Sequence, residues 1–305
     1  MPANDDIDVL FDIKTAYYIG AFQQCIQAAQ KVKLNNDKDL ELERDTYVFR
    51  SYVCQRKYGV VFDEIKEHSN PVLKSIRLYA AFLKNISSDD ALPSAVSSFE
   101  NIFSELEPSQ NMAWLPNVLL ASCYFHSNDI DSALRTLSGV KVDALEVRAL
   151  NIQCLLSLDR VDLARKELKK MQDLDEDATI TNLASAWCSM MVGGEKSQDA
   201  YYTFQDMADK TKSTSILLNG MATAYLCQAK QDEADGTISE ALTVDDNCPE
   251  TLVNAIKNRF LAGKGVESGA RFLSELKSNH SDHKYMRDYN EKEELFDRLA
   301  KQYSS

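Results

Sequence analysis

A small residue recurs along this chain at a nearly constant interval, each time opening a helix with apolar residues four and seven positions later. In FHSNDIDSALRTLSGV it is Ala133, followed by Leu137 and Val140. In LLSLDRVDLARKELKKM it is Ala164, with Leu168 and Met171; in GGEKSQDAYYTFQDM it is Ala200, with Phe204 and Met207; in LCQAKQDEADGTISEA it is Ala234, with Ile238 and Ala241. The intervals are 31, 36 and 34 residues. Spacing of i, i+4, i+7 puts each trio on one helical face. Weaker copies extend the pattern. Ala95, with Phe99 and Ile102, precedes Ala133, and Ala270 follows Ala234. Gly20 and Gly59 mark two earlier turns, which place Cys25 and Glu64 where the small residue belongs. A chain built this way repeats one helical hairpin, and its neighbours must stack to bury their apolar faces.

A period near 34 with two helices per unit resembles the tetratricopeptide repeat. With Ala234 taken as position 20 of that repeat, Ala222 falls at the small position 8 and Tyr225 at the aromatic position 11, while Asp246 stands where Pro is usual. Ala121 and Tyr124 hold the same two positions before Ala133. The expected fold is all-α: a tetratricopeptide-like helical-hairpin solenoid, curved, with a C-terminal capping helix. It would form a single domain over 1–305 with about eight hairpins, an irregular stretch at about 84–116 and the cap at about 282–303. Only 10 Gly and 6 Pro in 305 residues, against usual shares of ~7% and ~5%, exclude turn-rich sandwiches and barrels. Asn128, Asp159 and Ser197 are expected to cap second helices, and Asn70-Pro71 and Leu92-Pro93 to open helices. In the tail, Tyr289, Leu295, Phe296, Leu299 and Tyr303 form the apolar face of the capping helix.

Charge narrows the partners. With 34 basic and 47 acidic side chains the net charge is -13. The densest basic run, Arg165, Lys166, Lys169 and Lys170, is interleaved with Asp162, Glu167 and Asp173, which reads as a solvated helix face and not a phosphate-binding stripe. Nucleic acid is therefore excluded. Seven cysteines, none in a C-x-x-C spacing and most in apolar stretches, indicate free thiols and a reducing compartment. MPANDDIDVL lacks the basic and apolar regions of a secretory signal, and no run approaches the ~18–20 apolar residues of a membrane span. A cytosolic chain without direct membrane insertion is expected.

No catalytic constellation emerges. Cys123 and His126 share a helical face, but nothing supplies the orienting group or oxyanion site that such a couple needs. His280 and His283 are too few for a closed metal site and read as loop residues. Gly193-Gly194 lacks the context of a phosphate loop. Neither enzyme activity nor a cofactor or metal is expected.

What remains is a surface. In this repeat class the first helix of each unit lines the concave side through positions 2, 5, 9 and 12. Those positions select Leu10, Lys14 and Tyr17, then Phe49, Val53 and Arg56, then Leu115, Val118, Ser122 and Phe125. Later units add Gln153 and Leu156, then Ile216, Asn219, Thr223 and Leu226. The lining is largely apolar, suited to a protein partner. A carboxylate clamp would need Lys or Arg at positions 2, 5 and 6; position 5 holds no basic residue, and at position 6 Arg50 stands alone.

Five segments carry a closer resemblance: LARKELKKMQDLDEDATITNLASAW (163–187), GGEKSQDAYYTFQDMADK (193–210), YYIGAFQQCI (17–26), QRKYGVVFDEIK (55–66) and EKEELFDRLAKQY (291–303). Together they are similar to the coatomer epsilon-subunit family of the COPI vesicle coat, colinearly over nearly the whole chain. The resemblance implies a non-catalytic coat subunit that curls around the C-terminal domain of the alpha coatomer subunit, joins the rest of the coatomer through it, and supports Golgi-to-ER retrograde transport. It also implies a peripheral location on Golgi membranes and COPI vesicles through the coat. Two other readings stay open: a repeat scaffold in another cytosolic assembly, and an enzyme using Cys123 and His126.

Overall fold

The computed structural model describes residues 8–66, 69–263 and 266–303, and every regular element among them is an α-helix. Two compact units divide the chain between Met191 and Val192. The first runs through α1 (Phe11–Tyr18), α2 (Phe22–Lys31), α3 (Lys38–Cys54), α4 (Tyr58–Glu64), α5 (Pro71–Lys84), α6 (Ala91–Glu105), α7 (Leu115–His126), α8 (Ile130–Ser138), α9 (Leu145–Ser157), α10 (Val161–Leu174) and α11 (Thr179–Val192), which ends at the boundary. The second holds α12 (Lys196–Lys210), α13 (Ser215–Cys227), α14 (Gln231–Val244), α15 (Pro249–Leu261), α16 (Val266–Asn279) and α17 (Lys284–Tyr303). Consecutive helices pair as hairpins, α1 with α2, α7 with α8, α9 with α10, α13 with α14 and α15 with α16 among them.

The hairpin turns share one device. Two residues past the first helix the backbone enters the left-handed region, at Gly20 (φ 82°), Arg56 (57°), Asn128 (63°) and Asp159 (57°) in the first unit, and at Ala229 (57°) and Gly263 (66°) in the second. The following amide then bonds back five residues, as in Ala21 to Ala16 at 2.8 Å, Lys57 to Tyr52 at 2.9 Å and Lys230 to Tyr225 at 3.0 Å. This closure satisfies carbonyls that the helix end leaves without partners. Asn128 and Asp159 therefore serve as left-handed turn residues, not as the caps expected from sequence. The cap of α8 is Asp129, which accepts from the Ser132 amide at 3.1 Å. Ser197 lies buried inside α12. Asn70 does cap α5, accepting from the Val72 amide at 2.9 Å with Pro71 in the first turn.

The recurring small residues lie where helices meet. Ala133, Ala164, Ala200 and Ala234 have no exposed surface, and Phe99 and Phe204 fill the space beside two of the copies. The weakest copies need correction. Ala270 is exposed, and the buried residue is its neighbour Gly269. Glu64 is exposed, and Val61 is buried in α4 in its place. The capping helix is packed only at its start. Met286 is fully buried and Tyr285 and Tyr289 pack beside it, whereas Leu295, Phe296, Leu299 and Tyr303 are exposed.

Candidate partner interface

The concave residues chosen from sequence divide into three groups. Leu10, Val53, Leu115, Val118 and Asn219 are buried, at 0%, 3%, 0%, 6% and 7% exposure, so they belong to the repeat core and not to a lining. These short hairpins wind closely enough that positions 2, 5 and 9 meet the adjacent helix. Arg56 is an exposed turn residue beyond α3. The third group keeps accessible surface: Lys14, Tyr17, Phe49, Ser122, Phe125, Gln153, Leu156, Thr223 and Leu226 are half-buried and Ile216 is exposed. Phe49 lies against the cluster built on Val53 and Leu119, and Phe125 against the one built on Ala133 and Leu137. Lys14 is held between Asp8 at 2.9 Å and Glu43 at 2.8 Å.

At the centre of the first unit the inner helices meet around a buried ion pair. Arg50 of α3 grips Glu146 of α9 with both forks, Nη1 to Oε1 at 3.0 Å and Nη2 to Oε2 at 2.5 Å. Tyr18 donates to Glu146 Oε1 at 2.7 Å, and Tyr47 donates to the same atom at 3.4 Å. The guanidinium also lies over the Tyr17 ring, 4.6 Å from its centroid. Burial alone would lower the Arg50 pKa, but the Glu146 carboxylate and the nearby tyrosine hydroxyls outweigh it and hold the group charged. Burial raises Tyr17, Tyr18 and Tyr47 well above the ordinary phenol range, so these hydroxyls stay protonated. A buried pair of this kind is tolerated only when its remaining donors and acceptors are satisfied.

Polar and aromatic side chains of α3, α5 and α7 lie near the pair. Cys54 ends α3 and is exposed, yet burial pushes its thiol up to about 11 against the opposing charge of Arg50. Tyr79 of α5 lies within its electrostatic reach and shares a 3.1 Å hydrogen bond with His126 Nε2 of α7. Sequence reasoning missed Glu146, Tyr18, Tyr47, Cys54 and Tyr79. The available signal was Arg50 itself, a charge inside the apolar run TYVFRSYV of α3.

The second unit has a different inner chemistry. Asn219 donates to Thr251 Oγ1 at 2.7 Å, and Asn254 donates to Asn219 Oδ1 at 2.9 Å, which ties α13 to α15 through amides. Next to them Gly220 brings α13 against the Phe204 ring of α12 so closely that a Cβ would lie 2.7 Å from it.

Nothing in this arrangement is built for bond chemistry. Burial raises the Cys123 thiol far above its ordinary range, and His126 is engaged with Tyr79, so the couple has no available nucleophile. His280 is buried and bonded to the Asn247 carbonyl at 2.7 Å, a helix-end contact and not the solvated loop expected. His68 lies outside the described residues. Among the described residues no group of three or more His, Cys, Asp or Glu could hold a metal ion, and no helix is long and apolar enough to cross a membrane. Arg165, Lys166, Lys169 and Lys170 are exposed on α10, as a solvated face requires.

Comparison with known proteins bears on what such a stack is for. In solved structures, the chain is similar in fold to a tetratricopeptide repeat protein from Parabacteroides merdae, with TM-score 0.58 and 16% identity over 83% of this chain and 94% of that one. It is also similar to a chain of the APC/C hetero-tetramer Cut9-Hcn1, with TM-score 0.60 and 13% identity over 92% of this chain and 54% of that one. The family model described as Coatomer epsilon subunit matches residues 6–304. Coatomer subunit epsilon-1 of Oryza sativa is 36% identical over 95% of this chain and 96% of its own length. Coatomer subunit epsilon-1 of Arabidopsis thaliana is 34% identical over 97% and 98%, and coatomer subunit epsilon of Caenorhabditis elegans is 31% identical over 96% and 98%. The chain belongs to the coatomer epsilon-subunit family: it is a tetratricopeptide-like structural component of a vesicle coat and not an enzyme.

Proposed function

We propose that this chain binds the C-terminal domain of the alpha coatomer subunit, that it joins the rest of the COPI coat through that contact, and that it thereby supports Golgi-to-ER retrograde transport. It would lie peripherally on Golgi membranes and COPI vesicles, held there by the coat. The observation that supports the reading is the set of half-buried aromatic and apolar side chains, Tyr17, Phe49, Phe125 and Leu156 among them, in a chain whose described residues form no catalytic cluster. Aromatics of this kind anchor interfaces and often lose roughly 2 kcal/mol or more on truncation. The test is co-purification with the alpha C-terminal domain, followed by Phe49→Glu combined with Phe125→Glu. A carboxylate set against apolar surface without a counter-charge is costly. The double variant should keep its helical circular dichroism and weaken binding by about two orders of magnitude, at ~1.4 kcal/mol per tenfold. A folded variant that binds normally puts the partner elsewhere. A wild-type chain that recovers subunits of another assembly without the alpha subunit overturns the reading.

A further inference from the structure

Hairpin stacks ordinarily make contacts only between neighbours, so their stability is a sum of local terms. The first unit departs from this. Arg50 reaches Glu146 across 96 residues, Tyr18 reaches Glu146 across 128, and Thr15 of α1 meets Thr179 of α11 at 3.2 Å across 164. Each of these contacts joins α1 or α3 to a much later helix of the same unit, α9 or α11. The ion pair is central, both partners are less than a tenth exposed, and no other cation contacts the Glu146 carboxylate among the described hydrogen bonds and ion pairs.

We propose that the Arg50–Glu146 pair is a latch. It holds α1 and α3 closed onto α9. A hydrophobic pair would hold such helices as firmly, but it would allow them to slide. The two-pronged fork accepts one register, so the latch also sets how tightly the unit is wound. The inference stands apart from the coat reading, because every readout uses the isolated full-length chain.

Hydrogen exchange tests it. In Glu146→Gln, amides of α1 and α3 should exchange at least tenfold faster, while those of α13 and α15 in the second unit keep their rates. Unchanged exchange in α1 and α3 overturns the latch, and so does a loss of protection that is equal in α6 and α8. Should Glu146→Gln fail to fold, Tyr18→Phe removes only the hydroxyl that donates to Glu146. A rise of threefold or more confined to α1 then supports the proposal, and no rise refutes it.

Discussion

Gly220→Ala is the most diagnostic substitution in this fold, because a helical glycine ordinarily gains from it. Alanine is favoured over glycine in a helix interior by up to ~1 kcal/mol. At Gly220, however, the added Cβ would sit 2.7 Å from Cε1 and Cζ of Phe204 and 2.8 Å from Cδ1. That ring is 1% exposed, so it cannot swing into solvent. Forcing one carbon into a packed core costs about 1–3 kcal/mol. Set against the helix gain, the net effect is a destabilisation of roughly 1–2 kcal/mol. Gly236 of α14 supplies the control, since nothing lies within 4 Å of its Cβ position. Gly236→Ala should raise stability by about 0.5–1 kcal/mol. Urea unfolding measures both, and the two substitutions should move the midpoint in opposite directions. Adding Phe204→Leu to Gly220→Ala should recover part of the loss, the signature of residues that share one space. If Gly220→Ala unfolds at or above the parent's midpoint, α12 and α13 do not approach as described.

Three further outcomes follow from burial and charge. Ala234→Leu puts a large side chain where Ala234 has no exposed surface, and should cost roughly 1–3 kcal/mol; a parent-like melting curve would place the repeat register elsewhere. Burial pushes the Cys154 and Cys188 thiols up to about 11. The unfolded chain therefore releases these protons first, and the stability they contribute, complete below the ordinary thiol pKa, is lost as pH rises towards 11. The melting temperature should fall over that alkaline range, and fall less in Cys154→Ala with Cys188→Ala; an equal fall in both proteins refutes the assignment. With a net charge of -13 and no basic stripe, the isolated chain should not sediment with anionic liposomes at physiological salt, and strong sedimentation would reveal a direct lipid site.

The period was legible because its cause is local. A small residue followed by apolar residues at helical spacing is written within a dozen positions, so Ala133, Ala164, Ala200 and Ala234 could be placed from sequence, and all four are buried. Register fails where the pattern thins: the spacing points to Ala270, but Ala270 is exposed and Gly269, which has no side chain to signal it, is the buried residue. The interface was harder to read for a physical reason. Fixed repeat positions assume an open superhelix, and in this chain the inner positions of Leu10, Val53 and Leu115 are consumed by helix packing. The Arg50–Glu146 pair spans 96 residues, and no periodicity in a single sequence marks a contact made once. An internal charge in an apolar run announces that a partner exists without naming it.

The turns show the same division between conformation and residue type. Gly20 and Gly263 identify themselves, because glycine adopts positive φ without strain, but Arg56 and Ala229 hold the identical place at φ 57° and read as ordinary helix residues. A left-handed backbone costs an L-residue with a Cβ roughly 1–2 kcal/mol, and asparagine or aspartate recovers part of that through local hydrogen bonds. Alanine recovers none. Ala229→Gly should therefore relieve strain, less the greater freedom glycine gains in the unfolded chain, a net stabilisation of about 0.5–1 kcal/mol. Asn128→Gly, at φ 63°, should gain less, because asparagine already tolerates the conformation. The two substitutions differ only in the residue replaced, so their ranking by urea midpoint isolates backbone strain from packing. Ala229→Gly lowering the midpoint, or gaining less than Asn128→Gly, would mean that the turn at Ala229 is not strained and that its repeat closes by another geometry.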